Sequence, residues 1–308
     1  MAKSKSFFGL RRGSTKSLTF SVYDGQQVTK DRVTEVKNPR TSTQMLQRMV
    51  MATALNMYSV GKEIFDHSFE GTTYGAKSMN KFLSENCKLI RASVDAENKN
   101  FAAICYGNKA AVPGLYKVSE GSLGTFPAGS KAITADGIKI TVSNAAEITV
   151  GLLRGMLGLN AGDYFTAVML TCNPTADYKV GNKTQGATSQ FSFARIYVPA
   201  GQDETVITAE NFKTLFEIEQ RNILSVTASV SENAGTHTLN IIVAPLNYSW
   251  IPACGAVIKS SKQNGIWCRS TETCFMNASY WEDSMSSADA FTTWPQGASY
   301  VLNGGDVE

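Results

Sequence analysis

From Ser17 to Tyr23 the residues Ser-Leu-Thr-Phe-Ser-Val-Tyr alternate polar and apolar, the period of two that a half-buried strand imposes. Asp24-Gly25 then supplies a turn into Gln26-Gln27-Val28-Thr29, so the pattern predicts a hairpin. Asn38-Pro39-Arg40-Thr41 breaks the extended run, and Thr41 with Gln44 three residues on forms a capping-box start. Beyond it the apolar period lengthens to that of a helix. Met45, Met49 and Ala52, with Leu46, Val50, Ala54, Met57 and Ile64, make a stripe broad enough to pack on two sides. Ala76, Met79, Phe82, Leu83, Cys87 and Ile90 repeat the spacing and predict a second helix, joined to the first across residues 68–73 as a helical hairpin.

After about Asn98 the pattern changes to short alternating runs between turn residues. Residues 133–142 carry an Asp136-Gly137 hairpin signal, and Gln263-Asn264-Gly265 joins runs at 256–261 and 266–270 in the same way. Further strands are predicted at 164–171, 191–198, 223–230 and 238–244. Asn144 with Glu147 caps a short predicted helix through Leu157, stopped by Gly158, and Thr208 opens another over 209–216. Residues 173–190, rich in Asn, Thr, Gly and Gln, read as a long surface loop, as does the segment after Ser279.

Many short strands with few helices between them exclude a doubly wound parallel sheet. The expected fold class is mainly β with an N-terminal helical hairpin (α+β), its body an antiparallel β-sandwich or jelly-roll-like. The expected division is a basic flexible arm at 1–16, a hairpin plus two-helix region at 17–97 and an antiparallel β-rich domain at 98–308.

Composition sharpens this picture in one respect. Of the 308 residues only 18% are charged, against a usual level of about 25%. Ser, Thr, Asn and Gly must cover the surface instead, as in a turn-rich β fold or a subunit whose flanks lie against neighbours. Phe7-Phe8-Gly9-Leu10 before Arg11-Arg12 falls short of the ~7–15 apolar residues of a signal peptide. No run approaches the ~20 apolar residues of a membrane span. The six cysteines lack a C-x-x-C pair and read as reduced core thiols, with Cys268 and Cys274 as the one pairing to watch.

Charge is segregated along the chain. Residues 1–50 hold ten Lys/Arg against three acids, which leaves nineteen against twenty-three for the rest. The first sixteen residues contain Lys3, Lys5, Arg11, Arg12 and Lys16 and no acid, the composition of an arm that touches a polyanion or of a solubilising tail. Five cations on phosphates give a slope of log K against log salt of about −4.5 on duplex DNA, with no preference for sequence. Phe7 and Phe8 stack on unpaired bases in one reading and form an apolar plug against the body in the other.

Signals for catalysis are weak. His67 and His237 are the only histidines, and no nucleophile elbow or H-E-x-x-H motif accompanies them. Residues 71–78, Gly-Thr-Thr-Tyr-Gly-Ala-Lys-Ser, miss a phosphate-binding loop by one position and place Ala76 where the second glycine belongs, so they read as a loop that caps a helix. Glu282-Asp283 and Asp203-Glu204 read as solvated surface. Trp250, Trp267, Trp281 and Trp294 read as core or interface anchors, with a ligand-stacking platform as the alternative. No catalytic residue, metal ligand, cofactor or small-molecule substrate is assigned, and an enzyme is not expected.

Phe8-Gly9-Leu10-Arg11-Arg12-Gly13-Ser14, then Gln27-Val28-Thr29-Lys30-Asp31-Arg32-Val33 and Asn38-Pro39-Arg40-Thr41 with Gln44 and Gln47-Arg48, resemble an uncharacterised family of proteins from phages, prophages and mobile elements of gut bacteria. Gly158-Leu159, Gly162-Asp163, Phe193-Ala194-Arg195-Ile196 and Trp267-Cys268-Arg269-Ser270 are similar too. The resemblance implies a coat-like virion structural protein and carries over no catalytic residue. The function expected is a coat subunit in the virion, and in host cytoplasm during assembly. It would self-assemble with copies of itself as a homo-oligomer and contact the packaged phage genome through Lys3, Lys5, Arg11, Arg12 and Lys16. The alternatives are a non-structural, sequence-independent nucleic-acid-binding protein and an extracellular carbohydrate- or host-binding module.

Overall fold

The computed structural model describes residues 2–4, 12–23, 26–32, 42–72, 74–96, 114–127, 129–180, 183–221, 224–246 and 250–277. Contacts divide the chain into two units, Met1–Arg40 and Thr41–Glu308.

The first unit is one antiparallel sheet of β1 (Ala2–Ser4), β2 (Gly13–Ser14), β3 (Leu18–Tyr23) and β4 (Gln26–Asp31), in the order β1-β4-β3-β2. β3 and β4 form the predicted hairpin, in register from Leu18↔Asp31 to Tyr23↔Gln26. Two pieces of the segment expected to be a flexible arm are strands. Lys3 pairs with Val28, and Gly13 with Phe20. Their main-chain groups complete the edges of the hairpin, a kind of pairing that leaves no mark in side-chain composition. Residues 5–11, with Phe7 and Phe8, lie outside the described residues.

The second unit begins with α1 (Ser42–Val60), α2 (Lys62–Phe65) and α3 (Ala76–Ala96). β5 (Lys117–Ser119), β6 (Lys131–Thr134), β7 (Gly137–Asn144), α4 (Val150–Leu157), β8 (Tyr164–Val180), β9 (Lys183–Tyr197), α5 (Phe212–Leu215) and β10 (Ile218–Arg221) follow. The last elements are β11 (Leu224–Asn233), β12 (Thr236–Pro245), β13 (Ile251–Gln263), β14 (Ile266–Arg269), β15 (Glu272–Thr273) and β16 (Phe275–Met276). A central sheet has the order β10-β9-β8-β13-β14, with β16 also on β13. A second sheet has the order β11-β12-β7-β6, and β15 pairs with β5. All pairings between these strands are antiparallel, as expected for a mainly β, α+β body.

The central sheet is apolar on both faces, so its strands read as near-continuous hydrophobic runs. On one face Phe165, Ala167 and Met169 of β8, Ala194 and Ile196 of β9 and Val257 of β13 share a core with the second sheet. That sheet contributes Ile138, Ile140 and Val142 of β7, Leu239, Ile241 and Val243 of β12 and Leu224 and Val226 of β11, and Leu153 of α4 joins them. The opposite face carries Val168, Leu170, Phe191, Phe193, Cys254, Ala256 and Ile258. It packs against Val50, Ala54 and Met57 of α1, Phe65 of α2 and Phe82 and Ile90 of α3. Phe65 stacks on Phe82 at 4.9 Å and meets Phe191 edge-on at 5.4 Å. The helices therefore belong with the β-rich residues, and the division at Arg40/Thr41 differs from the expected ones at 16/17 and 97/98.

Three local expectations are corrected. Residues 173–180 and 183–189 are described as strand: β8 and β9 pair again after a register shift between Asn173 and Asp177 and stay paired to Val180↔Lys183, extending the ladder into a polar stretch. The cap of α4 is Thr149, whose hydroxyl accepts from Leu152 N at 3.2 Å, while Asn144 is held in β7 opposite His237. Gly158 ends that helix at φ 64°, as predicted. The helix after Thr208 is confined to α5, because Thr208 and Asn211 hydrogen-bond each other reciprocally at 2.8 and 3.2 Å and hold a turn.

Candidate functional site

In the first unit Arg12 and Lys16 flank β2 and are exposed. Lys30 lies on β4 opposite Thr19, Arg32 follows β4, and both are exposed too. Arg32 donates its main-chain N–H to Ser17 O at 2.7 Å and its Nη1 to Thr15 O at 3.3 Å. The end of β4 is thereby tied to the turn that carries Lys16. None of these four cations forms an ion pair among the described residues, and the unit's one described acid, Asp31, is exposed opposite Leu18. Of the five expected contact residues, Arg12 and Lys16 are described in full, Lys3 is placed by its backbone, and Lys5 and Arg11 lie outside the described residues. Sequence reasoning counted Lys30 and Arg32 in the charge but left them out of the site. Their signal was the hairpin itself, which returns the chain to the basic segment.

In the second unit many charges are paired internally, while Lys77, Lys88, Arg91, Lys213 and Lys262 are exposed without an ion pair among the described residues. Lys81 meets Glu85 at 2.8 Å and Glu120 at 3.0 Å, and Lys117 meets the same two carboxylates at 3.0 and 2.7 Å. These ammonium groups hold both carboxyls below the usual carboxylate range. Buried Asn86 supports the network, accepting from Lys117 N at 2.7 Å and donating to Lys117 O at 2.9 Å. Tyr58 OH donates to Asp66, and burial together with that carboxylate pushes the phenol up to about 12. Lys131 pairs with buried Glu272. Lys259 donates to Leu157 O at 2.8 Å, at the C-terminal end of α4, and to Thr125 O at 3.1 Å. Burial pushes its ammonium pKa down, against the pull of Glu272.

A row of rings and guanidinium groups crosses the central sheet. Tyr164 lies 5.1 Å from Tyr197 and 5.2 Å from Trp267. Arg269 sits 5.8 Å from the Tyr164 ring and 5.1 Å from Trp267, and donates to His67 O at 3.1 Å. Arg195 lies 5.9 Å from Tyr164 and pairs with Glu219 at 2.9 Å, where Tyr197 OH also donates at 3.0 Å. The motifs Phe193-Ala194-Arg195-Ile196 and Trp267-Cys268-Arg269-Ser270 therefore meet here, with Trp267 40% exposed. Alternation of aromatic and Arg at i, i+2 was the available signal, and it was not read. The polar heads of this row are partnered within the fold, so it is foremost a stabilising ladder.

The other candidates resolve as structure. Ser78 is buried and donates to Phe65 O at 2.9 Å, and Gly75 N donates to Asp66 at 3.3 Å, so Gly75 and Ser78 tie α3 to α2. His67 is exposed with its ring 6.2 Å from Tyr74, and His237 pairs with Glu232 across the β11–β12 hairpin. Asp203 pairs with Arg154 at 2.8 Å, and Glu204 is exposed. Trp250 is half-buried, while Trp281, Trp294, Glu282 and Asp283 lie outside the described residues. Cys268 and Cys274 are both free thiols. Cys274 is hydrogen-bonded to Cys254, and that bond with burial raises its pKa well above the usual value.

An open depression of about 420 Å3 lies beside β11, lined by Lys213, Phe216, Ile218, Leu224, Val226 and Leu246 among others. Among the described residues no group of three or more His, Cys, Asp or Glu is placed to hold a metal ion, and no helix is long and apolar enough to cross a membrane. The chain matches no protein-family model, no curated protein and no solved structure.

Proposed function

We propose that this chain is a virion structural subunit, a coat protein of a phage-like particle, that self-assembles through its β-rich unit and contacts packaged nucleic acid through its N-terminal unit. One observation carries the reading: Arg12, Lys16, Lys30 and Arg32 are exposed without an ion pair among the described residues, whereas the second unit pairs or buries many of its cations. By composition the unit 1–40 holds nine Lys/Arg against three acids and the unit 41–308 twenty against twenty-three. A cationic unit joined to a nearly neutral, weakly charged one suits phosphate contact through the first and packing against copies through the second. Lys30 and Arg32 join Arg12 and Lys16 in this role. Localisation in the virion, and in host cytoplasm during assembly, follows from the same reading.

Electron microscopy of the purified protein, with and without added DNA, tests it. Shells, tubes or rings that retain DNA at low salt and release it as salt rises support the proposal. A protein that stays monomeric at high concentration yet coats DNA supports the non-structural nucleic-acid binder instead.

A further inference from the structure

β11 is an open edge of the second sheet that lacks the devices by which monomeric proteins blunt such edges. Among the described residues it pairs with β12 alone, without a register shift from Leu224 to Asn233. No backbone hydrogen bond ties its outer side to another segment among the described residues. Its first eight residues, Leu-Ser-Val-Thr-Ala-Ser-Val-Ser, contain no Lys, Arg, Pro or acid. Edge strands are ordinarily kept short, bulged or charged, because their free N–H and C=O groups template another strand.

The strand also reads almost alike in both directions about Ala228. Thr227 mirrors Ser229, Val226 mirrors Val230, and Ser225 mirrors Ser231. Two copies laid antiparallel about a two-fold axis through Ala228 set valine opposite valine twice and hydroxyl opposite hydroxyl four times. The two valines of one chain differ in just the way this pairing would repair. Val226 is 3% exposed and belongs to the core between the sheets, whereas Val230, on the same face of the strand, is 40% exposed. In the pair, each Val230 comes beside the other copy's Val226 and the depression that Leu224, Phe216 and Ile218 help to line.

We infer that the outer edge of β11 is a two-fold contact with a second copy of this chain, a strand-to-strand addition that continues the second sheet across two subunits. The inference rests on the self-assembly reading and names its surface.

Sedimentation of the full-length protein over a range of concentrations tests it, with the native sequence, Val230→Lys and Ala228→Cys compared. Val230→Lys alters an exposed side chain, so its circular dichroism and thermal midpoint should match the native protein, while its dimerisation weakens by roughly tenfold or more. Residues directly opposed in an antiparallel pair have Cβ atoms about 4.5–5.5 Å apart, so two Ala228→Cys copies should cross-link to each other at that position, with oxidised glutathione as electron acceptor. If the native protein self-associates but Val230→Lys dimerises as tightly and the Ala228→Cys copies do not cross-link, this surface is wrong and the coat reading stands. If the native protein is monomeric at every concentration, the coat reading fails and takes this inference with it.

Discussion

In the unit 41–308, Lys131 meets Glu272, Lys81 and Lys117 share Glu85 and Glu120, Arg195 and Arg154 each hold a carboxylate, and Lys259 is buried against carbonyls. Other exposed cations there, such as Lys88 and Lys213, share the surface with exposed Glu204, Glu210 and Glu232. In the unit 1–40, Arg12, Lys16, Lys30 and Arg32 face solvent beside a single described acid. The same residue types thus serve the fold in one region and remain available in the other. A cation satisfied within its own chain would have to surrender a carboxylate to bind phosphate, at a cost set by how buried that carboxylate is. A free one has no such cost, and the free cations of the unit 1–40 stand beside one described acid whereas those of the second unit lie among exposed carboxylates, so the first unit is where a polyanion should bind.

The contrast can be broken most severely at Glu272. Replacing it with Ala strands Lys131 next to buried Lys259 and should cost about 3 kcal/mol, seen as a lower denaturation midpoint, while the protein that remains folded binds nucleic acid as before. Next comes Tyr58. Its folded pKa of about 12 lies above the ordinary value of 10.0, so its contribution is complete below pH 10 and is lost as pH rises from about 10 to 12. Tyr58→Phe should abolish that alkaline step and cost about 1–2 kcal/mol at neutral pH through the carboxylate it leaves behind. The network of Glu85 and Glu120 is partly exposed, so Lys117→Met should cost only about 0.5–1 kcal/mol, and less in high salt. Because both carboxyls are held below their ordinary value of 4.5, this contribution is present above about pH 4.5 and fades as pH falls through the lowered values. Smallest for stability is Lys30→Gln, which should leave the thermal midpoint unmoved and reduce the salt slope of nucleic-acid binding by about 0.9.

The parts of this fold written in local pattern were legible. The turn at Asn264-Gly265, with positive φ at both residues, sits where Gln263-Asn264-Gly265 predicts a hairpin, and Gly158 stops α4 as its sequence position predicts. The helical spacing in 42–60 and 76–96 gave two helices. What stayed hidden depends on distant partners. The helices lie on the outer face of the central sheet because Phe65, stacked on Phe82, fits against Phe191, which nothing in residues 60–90 announces. Residues 183–189 are strand despite their polar composition because their main chain pairs with β8, across a register shift between Asn173 and Asp177. At the candidate site, the charge segregation was readable by counting. The membership of Lys30 and Arg32 was readable only by following the predicted β3–β4 hairpin to its consequence, which brings them back alongside Lys16, and counting charge by segment does not do that. The open edge of β11 became visible only when the sheet order left it unpaired on one side.

The most direct measurement is the salt dependence of duplex DNA binding by the full chain and by the variant with Arg12, Lys16, Lys30 and Arg32 all changed to Gln. If the free cations are the contact, the slope of log K against log salt should shrink in magnitude by about 3.6 with no change in thermal midpoint. An unchanged slope would place the polyanion elsewhere and contradict the account.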